Sequence, residues 1–164
     1  MAEGPRAEII DSPDPRLVSA RIQINAPAAL IFDIIRQPRR HREFDGSGSV
    51  QRAIRGPERL NLGDRFGMDM KIGVPYRITS TVVEFDADRR IAWCHILGNR
   101  WRYELAPLDD TSTMVTESDD LRDVRWFARF SPMARDLEAP KIWIAKSLVA
   151  LKKLAETEAA DSRP

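Results

Sequence analysis

The sequence predicts an α+β protein in which a curved antiparallel sheet is covered by one long C-terminal helix. Three observations lead to this fold class. A strand pattern runs into a helix pattern over residues 18–36, closely spaced strand-like segments follow, and the C-terminal part has the period of an amphipathic helix. Helices kept apart from a run of antiparallel strands are typical of the α+β class.

The first strand and the first helix are predicted by a change of period. Apolar residues alternate with polar ones at first and then recur every three or four positions. The alternating set is Val18, Ala20, Ile22 and Ile24, and the helical set is Ala28, Ile31, Ile34 and Ile35. Asn25 is placed to cap this helix, and the ring of Pro27 suits its first turn, where no backbone N–H is needed. Pro38 should end or kink the helix, and a short second helix or a turn is expected after it.

Alternation and turn signals predict six further strands and a closing helix. The strands are expected over residues 50–55, 64–72, 76–85, 91–97, 101–105 and 112–121. Gly98 and Asn99 form a two-residue hairpin signal between two of them. The closing helix is expected over about 141–157, with an apolar face of Trp143, Ile144, Ser147, Leu148, Leu151, Leu154 and Ala155. Residues 122–140 give no clean assignment, and a short helix is one option there.

Size and composition indicate one globular domain. The chain has 164 residues, of which 43% are hydrophobic and 31% charged, and its formal net charge is +1. This balance gives no field that would recruit nucleic acid or anionic lipid, and no apolar run reaches membrane-spanning length. We expect a loose leader or edge segment over 1–15, one domain over 16–157 and a frayed tail over 158–164. The start of the chain lacks the order of a signal peptide, so a cytoplasmic location is expected.

Cysteine and histidine usage argues against metal and thiol chemistry. Cys94 is the single cysteine, which excludes an intramolecular disulfide, and no base lies beside it in the sequence to activate it. The two histidines, His41 and His95, are too far apart in the sequence for a typical zinc motif. No phosphate-binding glycine loop, dinucleotide fingerprint or serine-hydrolase elbow occurs, and we expect no metal and no cofactor.

Four segments resemble the START-like, or SRPBCC, superfamily, and within it the polyketide cyclase/dehydrase and lipid-transport branch. They are IQINAPAALIFDIIRQPRRHREF, VVEFDADRRIAW, RWRYELAPLDDTSTMVTESDDL and KSLVALKKLAE. The resemblance covers roughly residues 16–156, with Pro27, Phe32 and Trp93 at family turn and core positions. It implies a helix-grip fold, in which the curved sheet wraps around the C-terminal helix and leaves a cavity. Members bind lipids, sterols, polyketides or hormones, and a few catalyse cyclisation or dehydration, so the fold does not select the function.

One helix cannot fill the concave side of a long curved sheet, so inward side chains either complete a core or leave room for a ligand. We predict an inward, ligand-binding set on the strands and on the closing helix. It consists of Phe66, Met68, Met70, Ile72, Trp93, Trp101, Tyr103, Ile144, Leu148 and Leu151. The flexible thioether of methionine suits an adaptable wall. A closed apolar core explains the same residues.

Polar side chains with a chemical role are harder to assign. His95, Glu117 and Tyr103 are the candidate catalytic residues, because an inward histidine, carboxyl or phenol could move a proton. Glu104 and Asp119 lie on the same hairpin as Glu117, and cross-strand pairing at the surface explains all three carboxyl groups.

Phase along the last hairpin decides which side chains point inward. Trp101 and Tyr103 alternate with Arg102 and Glu104, so only one of the two sets can face the interior. We expect the aromatic set to be inward. His41 lies in a basic stretch that we interpret as a solvated turn, with a phosphate-bearing ligand or an acidic partner as the alternative.

Three functions fit these observations. The first is a binding module for a hydrophobic small molecule, lipid- or polyketide-like. The second is a cyclase, aromatase or dehydratase that uses acid and base groups of the cavity. The third is a protein-interaction domain with a filled core, which could dock through a patch of Trp126, Phe127, Phe130 and Met133. A homodimer is an option for that patch, and neither nucleic-acid binding nor stable membrane insertion is expected.

Overall fold

The computed structural model describes residues 5–124 and 138–162, and it contains one antiparallel sheet. Its strands are β1 (Glu8–Ile10), β2 (Leu17–Ile24), β3 (Val50–Arg55), β4 (Arg65–Ile72), β5 (Val74–Asp86), β6 (Arg90–His95), β7 (Arg100–Asp109) and β8 (Ser112–Asp120). Its helices are α1 (Ala28–Ile35), a 3₁₀ turn at Pro38–Arg40, α2 (His41–Phe44) and the long α3 (Glu138–Asp161). The strand order is β1-β2-β8-β7-β6-β5-β4-β3. The predicted α+β, helix-grip architecture is therefore confirmed.

Both ends of the domain reach further than the sequence indicated. Strand β1 pairs with β2 at the sheet edge, so part of the segment expected to be a leader or an edge belongs to the sheet. At the other end, α3 continues to Asp161 and takes in most of the residues expected to be a frayed tail. The segment 122–140 contributes the start of α3, and residues 125–137 lie outside the described residues.

The start of α1 differs from the expected capping. The helix begins at Ala28, and its N-cap is Pro27, which makes no side-chain cap hydrogen bond. Asn25 contacts α3 instead, where its backbone N–H donates to Glu156 Oε1 at 2.8 Å. The expected apolar face is present, since Ile31, Ile34 and Ile35 are buried.

Strand register aligns the inward side chains in rows across the sheet. One row joins Ala20, Glu117, Tyr103, Ile91 and Phe85 on β2, β8, β7, β6 and β5. The next row, nearer the β6–β7 turn, joins Val18, Asp119, Trp101, Trp93 and Val82. Two carboxyl groups therefore lie on the apolar face of the sheet, in the same rows as the aromatic side chains.

Helix α3 packs its apolar face against this side of the sheet. Ile144, Leu148 and Leu151 are fully buried in the same core as the strand residues. None of the helices in the described ranges is long and apolar enough to cross a membrane.

A close approach joins the turn after α2 to α3. A Cβ atom added at Gly46 would lie 2.1 Å from the carbonyl oxygen of Trp143 and 2.5 Å from the backbone nitrogen of Ser147. The backbone N–H of Gly46 donates to Ser147 Oγ at 2.9 Å. Only a residue without a side chain fits here, and this requirement fixes α3 against the α2 turn.

Candidate functional site

On the face of the sheet that packs against α3, here called the inner wall, the most unusual group is the carboxyl of Glu117, which is completely buried. The indole Nε1–H of Trp101 donates to Glu117 Oε1 at 2.9 Å, and the hydroxyl of Tyr103 donates to the same oxygen at 2.7 Å. The other oxygen, Oε2, is buried and has no hydrogen-bond partner within residues 5–124 and 138–162. Asp119 lies next to it on the inward face of β8 and is 6% exposed, and its Oδ1 also lacks a partner in the part of the chain that the structure describes.

Alternation along β7 and β8 explains how these four side chains meet. Successive residues of a strand point to opposite faces, so Trp101 and Tyr103 face inward together, as do Glu117 and Asp119. The β7–β8 register places Tyr103 opposite Glu117 and Trp101 opposite Asp119. The sequence predicts the inward aromatic residues, and the register then adds the two acids to the same face.

Burial controls the protonation of the two acids. It raises the pKa of Glu117 to about 8, and the hydrogen bonds from Tyr103 and Trp101 only partly offset this effect. The nearby carboxyl groups of Asp45 and Asp119 raise the pKa of Glu117 further. Burial likewise raises the pKa of Asp119 to about 7, with a partial offset from Asn99. Both groups thus titrate near neutral pH, several units above ordinary carboxyl groups.

Tyr103 stays protonated next to this pair. Burial raises the pKa of its phenol well above the usual value, and the charge of Glu117 acts in the same direction. The phenol is therefore a fixed donor toward Glu117 Oε1.

His41 is buried, so the expectation that it lies in a solvated turn is wrong. Its ring stacks on Trp93 with centroids 5.0 Å apart, and its Nε2 lies 2.8 Å from the carbonyl oxygen of Ile35. The 3₁₀ turn before α2 rotates His41 and Phe44 onto the core side of that short helix. Burial lowers the pKa of His41 to about 4, so the ring is neutral and packs as an aromatic side chain.

Most of the predicted ligand-binding residues lie in the interior. Phe66, Met68, Met70, Trp93, Tyr103, Ile144, Leu148 and Leu151 are buried, and Trp101 is half-buried. Ile72, at the end of β4, is 41% exposed. Burial is common to a cavity wall and to a closed core, so the assignment of these residues to ligand binding stays a prediction.

Two pockets of the described residues lie outside this set. One is on the outer face, where Arg90, Glu104 and Met114 contribute to its lining. The other lies between Pro5 and the outer side of α3, with Val149 and Lys152 among its lining residues.

The structure brings together two of the three candidate catalytic residues. Tyr103 and Glu117 are hydrogen-bonded. His95 is half-buried and pairs with Ser80 of β5, two inward rows away from Glu117. Burial lowers the pKa of His95, which leaves its ring neutral at neutral pH.

The alternative that Arg102 and Glu104, rather than Trp101 and Tyr103, face inward is wrong. Both side chains point to the outer face, where Arg102 pairs with Glu84 of β5 at 2.6 Å and Glu104 is exposed. Cys94 is half-buried on β6. Within residues 5–124 and 138–162, no group of three His, Cys, Asp or Glu side chains could hold a metal ion. The aromatic patch of Trp126, Phe127, Phe130 and Met133 lies outside the described residues.

Sequence reasoning missed Asp119 as an inward acid and Trp101 as a hydrogen-bond donor. The available signal was phase, since Glu117 and Asp119 alternate with Thr116 and Ser118 along a strand. Phase alone does not say which of the two faces is buried, and cross-strand surface pairing fitted the charges equally well.

Sequence comparison gives two close relatives and no matching family model. The chain is 47% identical over 107 residues to the uncharacterized protein Rv0088 of Mycobacterium tuberculosis strain H37Rv, a stretch that covers 65% of this chain and 48% of that protein. It is 46% identical over the same length to MT0096 of strain CDC 1551. The chain thus spans about half the length of the curated relatives it matches.

Structural comparison shows the fold. The solved structure of Ms6760 from Mycobacterium smegmatis aligns with a TM-score of 0.67 at 14% identity, over 97% of this chain and 100% of that one. The polyketide-cyclase-like protein Cgl2372 from Corynebacterium glutamicum aligns at 0.61 and 20% identity, over 93% and 98%. The Aha1 dimer from Colwellia psychrerythraea aligns at 0.61 and 13% identity, over 85% and 96%. The chain therefore shares the helix-grip fold of these proteins, the fold that its sequence segments predicted.

Proposed function

We propose that this chain binds a hydrophobic, lipid- or polyketide-like small molecule between the sheet and α3, with Glu117 as its polar anchor. The observation that carries this proposal is Glu117 Oε2, a buried oxygen that has no partner among the described residues and lies on a mainly apolar and aromatic wall. A polar atom left in this state costs about 1–3 kcal/mol, and nearly all buried polar groups in proteins are paired. A ligand that supplies the missing partner would recover this energy.

The surroundings of Glu117 have the composition of a small-molecule site. Such sites are mainly apolar and aromatic and carry a few placed polar groups. Here Trp93 lies against Tyr103 with ring centroids 5.8 Å apart, and Phe44 packs on the other edge of Tyr103 at 6.3 Å. An aromatic wall that also carries the carboxyl groups of Glu117 and Asp119 favours a mainly apolar guest with a polar function.

A neutral fluorescent probe tests the proposal. We expect N-phenyl-1-naphthylamine to bind the wild-type chain with a rise in fluorescence, because it needs only apolar walls. The variant Met70→Trp should weaken binding by about tenfold or more, since a larger side chain in the buried set fills the guest volume.

Val74→Trp is the matched control, because Val74 is 71% exposed on the neighbouring strand. It should bind the probe as the wild type does, and both variants should keep the wild-type circular dichroism spectrum. No fluorescence rise with the wild type, or equal binding by Met70→Trp, would contradict the proposal.

A cyclase, aromatase or dehydratase is the second candidate. The specific observation in its favour is that Glu117 and Asp119, adjacent on one wall, both titrate near neutral pH beside the donor Tyr103. General acid–base catalysis is most effective with groups of this kind. An enzyme would convert a bound polyketone in single-turnover experiments, whereas a carrier would release it unchanged.

A protein-interaction domain is the third candidate. The oligomeric state and the cellular location are two further predictions. The homodimer proposed for the aromatic patch is tested by sedimentation of the purified chain. Fractionation of the source cells tests the cytoplasmic location.

A further inference from the structure

We propose that Glu117 acts as a neutral acid that donates a hydrogen bond from Oε2 to the carbonyl oxygen of an uncharged ligand, an inference that rests on the proposed function. The established geometry is that both donors, Trp101 and Tyr103, contact the other oxygen, Oε1. Because both hydrogen bonds go to one oxygen of Glu117 and none to the other, the two oxygens indicate the chemical class of the ligand.

The two oxygens of Glu117 have different surroundings. A protonated carboxyl group has one carbonyl oxygen, which only accepts, and one hydroxyl oxygen, which carries a donor. Oε1 accepts from Trp101 at 2.9 Å and from Tyr103 at 2.7 Å, so it fits the carbonyl oxygen. Oε2 is buried and unpaired among the described residues, so it fits the hydroxyl oxygen. A charged carboxylate would need donors at both oxygens, and the described residues supply none at Oε2.

Electrostatics at the site also favour the uncharged form. Among the described residues, no lysine or arginine pairs with Glu117, and the ionisable groups that act on it are Tyr103 on β7, Asp119 on β8 and Asp45 after α2. In the same row as Glu117 the inward neighbours are Ala20 on β2 and Ile91 on β6, and Ile144, Leu148 and Leu151 of α3 are buried in the same core; none of these titrates. The two histidines near this face are His95, two rows away on β6, and His41 of α2, which stacks on Trp93; burial lowers the pKa of both, so they are neutral. A buried carboxyl group with acids and no cation around it among the described residues keeps its proton.

A fixed O–H donor selects for an acceptor. A ketone, ester or quinone oxygen meets this need without a charge of its own. A ligand carboxylate would place another negative charge beside Asp119 and Asp45, and a plain hydrocarbon would leave Oε2 unpaired. The ligand class is therefore an uncharged, mainly apolar carbonyl compound.

Two probes of nearly equal shape test this inference, namely 2-acetylnaphthalene and 2-ethylnaphthalene, which lacks the carbonyl oxygen. Equilibrium dialysis measures the Kd of each for the full chain. At about pH 6 the ketone should bind about tenfold more tightly than the hydrocarbon. At about pH 9.5 this preference should disappear, because an ionised Glu117 can accept but not donate.

Substitutions at Glu117 separate a donor role from a merely structural one. Glu117→Gln keeps an acceptor for Trp101 and Tyr103 and an N–H donor for the ligand, so it should retain the preference for the ketone at both pH values. Glu117→Leu should bind both probes equally at both pH values. Thermal unfolding of each variant confirms that it is folded at the pH used.

The outcomes distinguish this inference from the function on which it rests. If the wild type binds both probes with equal affinity at about pH 6, ligand binding stands and the donor role is overturned. Loss of the ketone preference in Glu117→Gln overturns it as well. If neither probe binds the wild type, the proposed function fails and this inference fails with it.

Discussion

Glu117 links the chemistry of the site to the stability of the chain. A carboxyl group whose pKa is higher in the folded state than in the unfolded state binds its proton more tightly when folded. Folding is then favoured below the unfolded pKa, and this contribution is lost as pH rises through the folded pKa, here about 8. The group that anchors a ligand in the proposed function therefore also makes the protein less stable in alkaline solution.

Glu117→Gln should remove this loss. We expect the variant to be more stable than the wild type at about pH 9, by a few kcal/mol, and nearly equal to it at about pH 5, because glutamine does not titrate. Urea denaturation at the two pH values measures the free energies of unfolding.

Glu104→Gln is the control for this comparison, since Glu104 is exposed on the outer face of β7. It should follow the wild type at both pH values. A Glu117→Gln variant that is less stable than the wild type at about pH 9 would show that folding does not raise the pKa of this carboxyl group.

The alternation of residues along the strands predicted only part of this site. The alternation around Trp101 and Tyr103 correctly placed both side chains inward. Glu117 joins them only because the turn between β7 and β8 sets Tyr103 opposite Glu117. A register shift of one residue would move every side chain of the strand to the opposite face. The geometry of the β7–β8 turn therefore decides which polar groups face inward, and the sequence composition does not predict that geometry.

At the scale of elements, two boundaries differ from the expectation. Helix α3 is described from Glu138 and continues to Asp161, whereas the apolar periodicity predicts it only over about residues 141–157. Strand β1 has three residues, too few for alternation to be visible in the sequence.

The contact between the α2 turn and α3 gives a prediction at this scale. Gly46→Ala should destabilise the protein by about 2–4 kcal/mol, because the new methyl group would overlap backbone atoms of α3 that cannot move aside separately. Thermal or urea unfolding measures the change.

Gly48→Ala provides the comparison two residues away. Gly48 has a positive φ of 67° and open space around a Cβ atom, so alanine there costs only backbone strain of about 1–2 kcal/mol. Equal losses for the two variants would mean that the turn and α3 can separate without penalty.

At the scale of the whole molecule, the buried titratable groups oppose one another. Glu117 and Asp119 favour folding at low pH, and this contribution is lost through about pH 7 and 8. His41 acts in the reverse direction, since its pKa is lowered to about 4 and the unfolded state gains a proton first as pH falls.

We therefore expect the free energy of unfolding to fall as pH rises from about 5 to 8, because two acids with a raised pKa outweigh one histidine with a lowered pKa. Chemical denaturation across the pH range measures this fall. His41→Phe keeps the aromatic stack on Trp93 and should make the fall steeper between about pH 4 and 6.5 while leaving the alkaline side unchanged. A wild-type maximum at about pH 8 or above would contradict the assignment of neutral acids to the inner wall.

The architecture as a whole was predictable because it depends on periodicity, which is repeated over many residues. Four matching segments and the order of strands and helices indicated the helix-grip arrangement, and the structure confirms it. Positions such as His41 and Glu117 were not predictable, because each depends on a single turn that decides which way one polar side chain points.

The glycine contact has a consequence for how a guest could reach the interior. At Gly46 the turn and the helix touch backbone to backbone, and a hydrogen bond to Ser147 holds them together. A passage between the α2 turn and α3 could open only if this hydrogen bond breaks and α3 moves away from the turn. We therefore expect a ligand to enter and leave past an end of α3, where the helix can shift while the contact at Gly46 is kept.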